Sequence, residues 1–506
     1  RAWGGRVVIR VTTLFASRAG ASARYYGGYL TKNGCELPGR WTGTQAPELG
    51  LVGEVTPDRL ESVLLGKHPF TGKSLGRELL DRINKNGNVT KAVAGYDATF
   101  SAPKSVSMLW GLTGDEGFAE CHDRAVDAAI EMIEKYGSTT RIRSNGTRLH
   151  PETCGLTIGV FRQSTSRADD PQLHTHVVIS SKVQTADGRW YALDGRVLKR
   201  HQQAFGYFYQ SVLRAELSAR YGVAFDDIVN GQAEIAGVPV ELLHQFSKRA
   251  HDIAIEMDHR VAEFIERTGR EPNEREYSAM EREASGDTRA DKTGLGADQL
   301  RSRWTREAAT LGIDATSLVG DVSAAARRRP IESSTLGVDE VLETLAARQS
   351  TWNRLDVLRV ISGAVSPQPG HDATTWTAAF ERAVDTVLDA CIDLDPTGDT
   401  GTRRRSDGRS IYVEPVAAQA TSEFVLAQEE RIITWALDAQ TDSPTPSTTI
   451  SDSDLDPGQH AAATAVAGHD RLVLVVGPAG AGKTRMLAAA TNDFARHTRT
   501  VVALAP

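Results

Sequence analysis

Two imidazoles one residue apart on a β-strand share a face, and this pattern narrows what the chain can build more than any other. Residues Gly155 to Val183 read GLTIGVFRQSTSRADDPQLHTHVVISSKV. GLTIGVF and LHTHVVIS are apolar and β-branched, and STSRADDP between them is rich in turn residues, so the stretch predicts two antiparallel strands joined by a polar loop. Side chains alternate along a strand, which puts His174 and His176 on one side. With Phe161 opposite His176, Gln163 falls opposite His174 on that same side. Two imidazoles and an amide oxygen then converge, a donor set suited to a divalent metal. An isolated His-x-His is more often an ordinary strand with two half-exposed histidines, so the weight rests on what surrounds it.

Upstream, RVVIRVTTL (residues 6–14) predicts a strand, and ASRAGASARYYGGYL a helix carrying Tyr25, Tyr26 and Tyr29. Adjacent helical residues point about 100° apart, so Tyr25 and Tyr26 cannot share one face. Loops are expected from Asn33 to Gly53, and helices around 57–65 and 76–84. In VAGYDATFSAPKSVSMLWGL (93–112) a strand around Tyr96 to Phe100 turns Asp97 inward, and SAPKS makes a turn. A carboxylate in an apolar strand is costly unless it is paired or bound to something. Residues 116–136 form an amphipathic helix with Phe118, Ala125, Ala129, Met132, Ile133 and Tyr136 on its buried side. After Trp190 the pattern is mainly helical to about 315, with long polar helices around 240–268 and 272–290. A linker-like shift follows at 316–336, then helices from 337 to 437 broken by a polar loop at 397–409, then a Ser/Thr/Pro/Asp-rich connection at 440–458.

The C-terminal signal is RLVLVV (471–476), a predicted buried strand, running into GPAGAGKT and a helix. That is G-x-x-x-x-G-K-T in strand–loop–helix context, a phosphate-cradling P-loop. Gly477, Gly480 and Gly482 allow the tight backbone path, Lys483 neutralises the β/γ-phosphates, and Thr484 ligates Mg²⁺. Gln459 in LDPGQHAA stands where it could read an adenine. The sequence reaches Pro506 before any acidic metal-binding strand or arginine finger, so ATP hydrolysis is expected only of a longer chain.

At 506 residues two or three domains are expected. No apolar run is long enough to span a bilayer, which predicts no membrane insertion. Cys35, Cys121, Cys154 and Cys391 form no paired framework, which fits free thiols in a reducing cytosol. The net charge of −7 hides an asymmetry: residues 1–110 carry +7 and the remainder −14. A basic N-terminal segment on an acidic chain points to a polyanionic partner.

Taken together, the Tyr25-Tyr26 pair, YDATFSAPKSVS, TSRADDPQLHTHVVIS and the downstream P-loop resemble, in that order and over nearly the whole chain, conjugative relaxases of the MobF type, the TrwC/TraI-like relaxase–helicases. The resemblance implies an α+β fold: an HUH-endonuclease-type central antiparallel sheet with flanking helices, then a mainly helical region and the start of a RecA-like P-loop α/β domain. It implies a relaxase domain over 1–315, a helicase N-terminal accessory region with linker over 316–450, and the opening of a superfamily-one motor lobe over 451–506. The implied activity is site- and strand-specific nicking and rejoining of single-stranded DNA at a plasmid transfer origin through a 5′-phosphotyrosyl intermediate. Tyr25 matches the usual nucleophile, Tyr26 is the runner-up, and Asp97 serves a metal-bound His or takes the tyrosine proton. Arg167 and Lys104, in loops beside the site, are expected near phosphates. TRADK at 288–292 resembles the family's helical region that closes over DNA and brings Lys292 into that set.

Two departures stand out. Where the family has a third metal-binding His, eleven residues before the His-x-His, this sequence has Gln163, with His150 the other candidate. An amide oxygen favours harder ions, so Mg²⁺ or Mn²⁺ is expected rather than Zn²⁺. Several family members also carry two separated tyrosine pairs, and here a lone Tyr29 follows the first pair. Further expected associations are ATP/Mg²⁺ at the P-loop of the full-length protein, relaxosome accessory proteins and a coupling protein. The rival reading is a P-loop DNA helicase or translocase whose N-terminal domain binds DNA without cutting it.

Overall fold

A computed structural model describes residues 9–33, 37–288, 295–328, 336–365, 372–396, 401–441, 450, 454–468, 470–497 and 500–502, with side chains in the first helix described through Gly27. The chain divides into two compact units, Arg1–Ala420 and Thr421–Pro506.

Five alternating apolar stretches of the first unit form one sheet: β1 (Ile9–Phe15), β2 (Arg40–Thr42), β3 (Val93–Ser101), β4 (Ile158–Thr165) and β5 (Pro171–Ser180). Their spatial order is β1-β3-β5-β4-β2, every neighbouring pair antiparallel. The register of the central pair is the one supposed from the sequence, Phe161 opposite His176 and Gln163 opposite His174. On the other side of β5, Thr99 of β3 stands opposite His176 and Asp97 opposite Val178.

One face of the sheet is covered by α1 (Ala19–Asn33) and α2 (Pro57–Leu64). Ala19, Ala23 and Tyr26 recur at helical spacing and share a core with Leu60, Leu64, Phe161 and Val178. The two helices touch so closely that a Cβ on Gly27 would stand 2.7 Å from the Pro57 ring. The opposite face is covered by α3 (Lys104–Thr113), α4 (Gly117–Gly137) and α5 (Gln202–Tyr221). The buried side foreseen for α4 is buried. His122 of α4 lies 2.7 Å from the Thr175 hydroxyl and 2.7 Å from the Tyr209 hydroxyl. Burial pulls its pKa down to about 3, so a neutral ring satisfies both hydroxyls.

Three polar helices follow, α6 (Lys248–Thr268), α7 (Glu274–Asp287) and α8 (Ala297–Thr310). Then α9 (Arg354–Ala364) and α10 (Ala373–Asp389) lie against α4 and α5. Trp376 Nε1 donates to Ser211 Oγ at 3.0 Å, buried Arg214 donates to the Ser362 carbonyl, and Arg354 and Lys135 both meet Glu381. The described residues of 336–420 therefore pack on the helices that cover this face of the sheet, and they belong to the first compact unit.

Three sequence expectations fail here, the first at the linker-like stretch 316–336, where Leu318–Arg327 is a helix with Leu318 and Val322 buried. Residues 76–84 are not a helix: Gly76 has φ +72°, and Arg82–Ile83 pairs with Val89–Thr90 in an exposed hairpin. The turn residues between them, Asn84 and left-handed Gly87 (φ +78°), outweigh the helical pattern of the preceding residues. Residues 471–476 are not a strand, and Leu474 and Val476 are exposed. A parallel strand needs neighbours on both sides, and none lies beside it among the described residues.

In the second unit, α11 (Pro457–Ala467) packs on α12 (Lys483–Arg496) through Ala463, Ala467, Met486 and Ala490. Among the described residues no helix is long and apolar enough to cross a membrane.

Candidate active site

The site lies between α1 and the middle of the sheet. Tyr26 turns inward: it is buried, its ring stacks on Phe161 at 5.3 Å between centroids, and its hydroxyl donates to Asp97 Oδ2 at 2.7 Å. Tyr25, one helical step around, is half-buried, with its ring edge-on to Tyr26 at 5.1 Å and to His176 at 6.2 Å. Burial first, and the negative charge of Asp97 second, hold the Tyr26 hydroxyl well above the ordinary phenol range. Tyr26 is therefore a fixed, protonated donor.

Asp97 binds in the other direction too. His176 Nδ1 lies 3.0 and 2.9 Å from its two oxygens, and Thr99 Oγ1 lies 3.2 Å from the same nitrogen. The buried carboxylate is thus paired, as its place in an apolar strand requires. Thr99 is a site residue that sequence reasoning missed. Its signal was its position two residues from Asp97, on the same face by alternation.

His174 and His176 have ring centroids 5.4 Å apart. His174 Nδ1 lies 2.9 Å from the Gln172 carbonyl, and His176 Nδ1 faces Asp97. Both acceptors call for a proton on Nδ1, which leaves the lone pair on each Nε2, the usual preparation of a metal-binding imidazole. Gln163 is 3 % exposed and its Nε2 has no hydrogen-bond partner. Nothing in the protein thus fixes the amide through its nitrogen, and a cation would select the carbonyl end. Among the described residues no group of three His, Cys, Asp or Glu side chains gathers to hold a metal, and the side chain that the register sets opposite His174 is the Gln163 amide. His150 is engaged elsewhere: it is buried, its backbone N–H donates to the Ile411 carbonyl at 2.6 Å, and its ring faces Glu414. The residues present fit a hard divalent ion with two imidazoles and one amide oxygen.

The expected phosphate contacts divide. Arg167, in the loop between β4 and β5, holds its guanidinium 6.0 Å from the centre of the Tyr25 ring. Lys104 is not the exposed loop cation that was expected. It opens α3, is buried, and its Nζ donates to the Pro171 carbonyl at 2.9 Å. A lysine whose stem is enclosed and whose ammonium is held by backbone cannot reach a phosphate in solvent. Lys292 lies outside the described residues.

At the P-loop, Gly480 and Gly482 take left-handed φ values of +82° and +71°, and Lys483 Nζ folds back onto the carbonyls of Gly477 (2.7 Å) and Pro478 (2.9 Å). Thr484 follows in the first turn of α12. Gln459 does meet this loop, its Nε2 donating to the Ala481 carbonyl at 3.1 Å while its Oε1 caps α11 at the Asp456 N–H. A Cβ on Gly482 would collide with the Gln459 amide, so the close approach depends on glycine.

Comparison with known proteins places the chain in a family. A family model described as TrwC relaxase matches residues 12–311, and one described as AAA domain matches residues 454–506. The chain is 31% identical over 356 residues to the multifunctional conjugation protein TraI of Escherichia coli, and 30% identical to that of strain K12. Each match covers 65% of this chain and 18% of the relative, so the chain spans under a fifth of the length of these proteins. Among solved structures, conjugative relaxase TrwC in complex with OriT DNA, metal-free, aligns with TM-score 0.51 and 32% identity over 60% of this chain and 99% of that one. Its metal-bound complex aligns with TM-score 0.51 and 31% identity, and TrwC with a 27-mer comprising the recognition hairpin and cleavage site with TM-score 0.50 and 31% identity, each over 61% of this chain and 99% of that one. With the TrwC relaxase model matching residues 12–311, more than half of the 506 residues, this chain belongs to the TrwC relaxase family.

Proposed function

We propose that the first unit is a metal-dependent DNA transesterase that nicks one strand at a plasmid transfer origin and rejoins it, with Tyr25 as nucleophile. The observation that carries this reading is the division of labour in the tyrosine pair above the histidines. Tyr26 is buried and tied to Asp97, and Tyr25 stands half-exposed between His176 and Arg167. Tyr25 Oη gives up its proton to solvent and forms a bond to phosphorus, the P–O3′ bond breaks, and the departing 3′ oxygen takes a proton back from solvent to become a hydroxyl, so the step is proton-neutral overall. The phosphotyrosyl link keeps the free energy of the phosphodiester, so attack by a 3′-hydroxyl reverses the step.

His174, His176 and Gln163 would hold the metal, with Asp97 orienting His176, and Mg²⁺ or Mn²⁺ suits the amide donor. When bound, such an ion withdraws charge from the non-bridging phosphate oxygens and fixes the line of attack. Arg167 supplies a second positive charge near the reacting phosphate. Asp97, with oxygens engaged by His176 and Tyr26, acts as the orienting carboxylate rather than as the base that frees Tyr25. TrwC has been solved in complex with OriT DNA and in a metal-bound form of that complex, and both support this reading.

DNA binding would extend to the exposed hairpin of residues 82–90, where Arg82 and Lys85 lie on a two-stranded ribbon of a shape that enters a major groove. The relaxase domain would comprise residues 1–315. The stretch 316–450 would lead into the motor, and 451–506 would hold nucleotide phosphates at Gly477–Thr484, with Gln459 beside them. ATP-driven helicase activity would belong to a longer chain, acting in the bacterial cytoplasm with accessory and coupling proteins.

The test is incubation of the 506-residue protein with labelled single-stranded oligonucleotides from its own transfer origin and Mg²⁺ or Mn²⁺. A covalent adduct that is lost in Tyr25→Phe and retained in Tyr26→Phe supports the assignment. Adduct formation by the Tyr25→Phe/Tyr26→Phe double variant would falsify the tyrosine mechanism. For the metal, Gln163→Ala should weaken Mn²⁺ binding in calorimetry, and Gln163→His should raise affinity for Ni²⁺ and Zn²⁺ far more than for Mg²⁺. Equal metal affinities in all three proteins would remove Gln163 from the donor set.

A further inference from the structure

The loop that carries Arg167 is gripped from outside the sheet. Asp169 takes a left-handed backbone (φ +56°), uncommon for a residue other than glycine. Its carbonyl accepts from Trp304 Nε1 of α8 at 2.8 Å. Asp170, also buried, accepts from the Lys248 backbone N–H at the start of α6 at 3.0 Å, and Lys248 Nζ lies 3.2 Å from its other oxygen. Lys248 and Arg303 then converge on Glu307 of α8 at 2.7 and 2.8 Å, and Arg303 reaches toward Asp169 at 3.9 Å. From below, Lys104 Nζ holds the Pro171 carbonyl. The fit is tight: a Cβ on Gly111 of α3 would stand 2.9 Å from Pro171 and 3.2 Å from the Trp304 ring.

We infer that Trp304 and Lys248 are positioning residues for nicking: through Asp169 and Asp170 they set the loop that places Arg167 over Tyr25. This rests on Tyr25 being the nucleophile. Arg167 links this loop to the Tyr25 ring, 6.0 Å away. Ser166 holds the turn together from within, its hydroxyl accepting from the Ala168 and Asp170 N–H groups, so the outer bracket sets where the turn sits, and a cation displaced by about an ångström or two no longer stands where charge develops in the reaction. The burial of Lys104 also finds its reason here. It is the lower anchor of the same bracket.

The inference fixes a pattern in kinetics that loss of stability alone does not produce. In the 506-residue protein, Trp304→Phe keeps an aromatic ring against Gly111 and removes the N–H. Single-turnover cleavage should slow roughly ten- to a hundredfold, with oligonucleotide Kd changed less than about twofold, because DNA affinity is dominated by phosphate contacts elsewhere. Lys248→Met should do the same to a smaller degree and serves if Trp304→Phe folds poorly. Because both act through Arg167, adding either change to Arg167→Ala should slow cleavage no further than Arg167→Ala alone. Multiplicative losses in the double variants, or wild-type cleavage rates in both single variants, would overturn the bracket. Tyr25→Phe, run alongside, separates the readings: adduct formation by that variant would sink the nucleophile assignment, whatever Trp304 does.

Discussion

At the level of single residues, the site shows how two identical neighbours acquire different chemistry from one helical step. Tyr26 and Tyr25 differ only in direction, and direction decides which is enclosed with a carboxylate. Removing the Tyr26 hydroxyl leaves Asp97 short of a buried partner, so Tyr26→Phe should lower stability by about 1–3 kcal/mol while adduct still forms. Chemical denaturation and a gel assay read the two effects separately. Asp97→Asn keeps the shape and removes the charge that orients His176. It should weaken Mn²⁺ binding about 10- to 100-fold, measurable by calorimetry without any DNA. His122, on the far face of the same sheet, gives a pH signature. Its folded pKa lies near 3, below the ordinary 6.5, so the unfolded chain protonates first as pH falls. Stability from this group is therefore complete above pH 6.5 and declines toward pH 3 by about 1.4 kcal/mol per unit. Urea midpoints at pH 7.5 and 5 should show the decline, and His122→Gln should flatten it.

At the level of elements, strand alternation made the β4–β5 register legible in the sequence. Alternation puts Leu173 and Val177 on one side and the histidines on the other, and the short turn then selects one pairing among those that keep these faces. The inward turn of Asp97 was legible for the same reason. What it meets was not, because Tyr26 lies 71 residues away and only packing brings the two together. Lys104 misled because a lysine after a turn signal reads as solvated, and nothing local announces that the Pro171 carbonyl will hold it. Residues 76–84 misled in the opposite way, since their helical pattern yields to a turn just beyond them. The resulting hairpin carries its own test. Arg82→Glu with Lys85→Glu should weaken DNA binding and reduce the slope of log K against log salt by roughly two, with cleavage at saturating DNA unchanged. A salt slope equal to wild type would remove the hairpin from the interface.

At the level of the whole chain, residues 336–420 complete the first unit rather than follow it. Phe380 packs on Phe208, Trp376 reaches Ser211, and Arg404 binds the His150 carbonyl. A protein ending at residue 315 should expose this apolar surface of α5 and melt several degrees below one ending at 420, which scanning calorimetry would resolve. The strand order has a consequence in time. Tyr25 is made early, but the histidines beneath it come about 150 residues later, and β5 must insert between β3 and β4 before they meet. At ribosomal rates of about 5–20 residues per second, the interval is roughly 8–30 s, and Trp304 arrives later still. On the proposed assignment, a nascent chain would carry its nucleophile well before the histidines that work with it, and would gain its full rate of cutting only once Trp304 is in place, more than half of the way through these 506 residues.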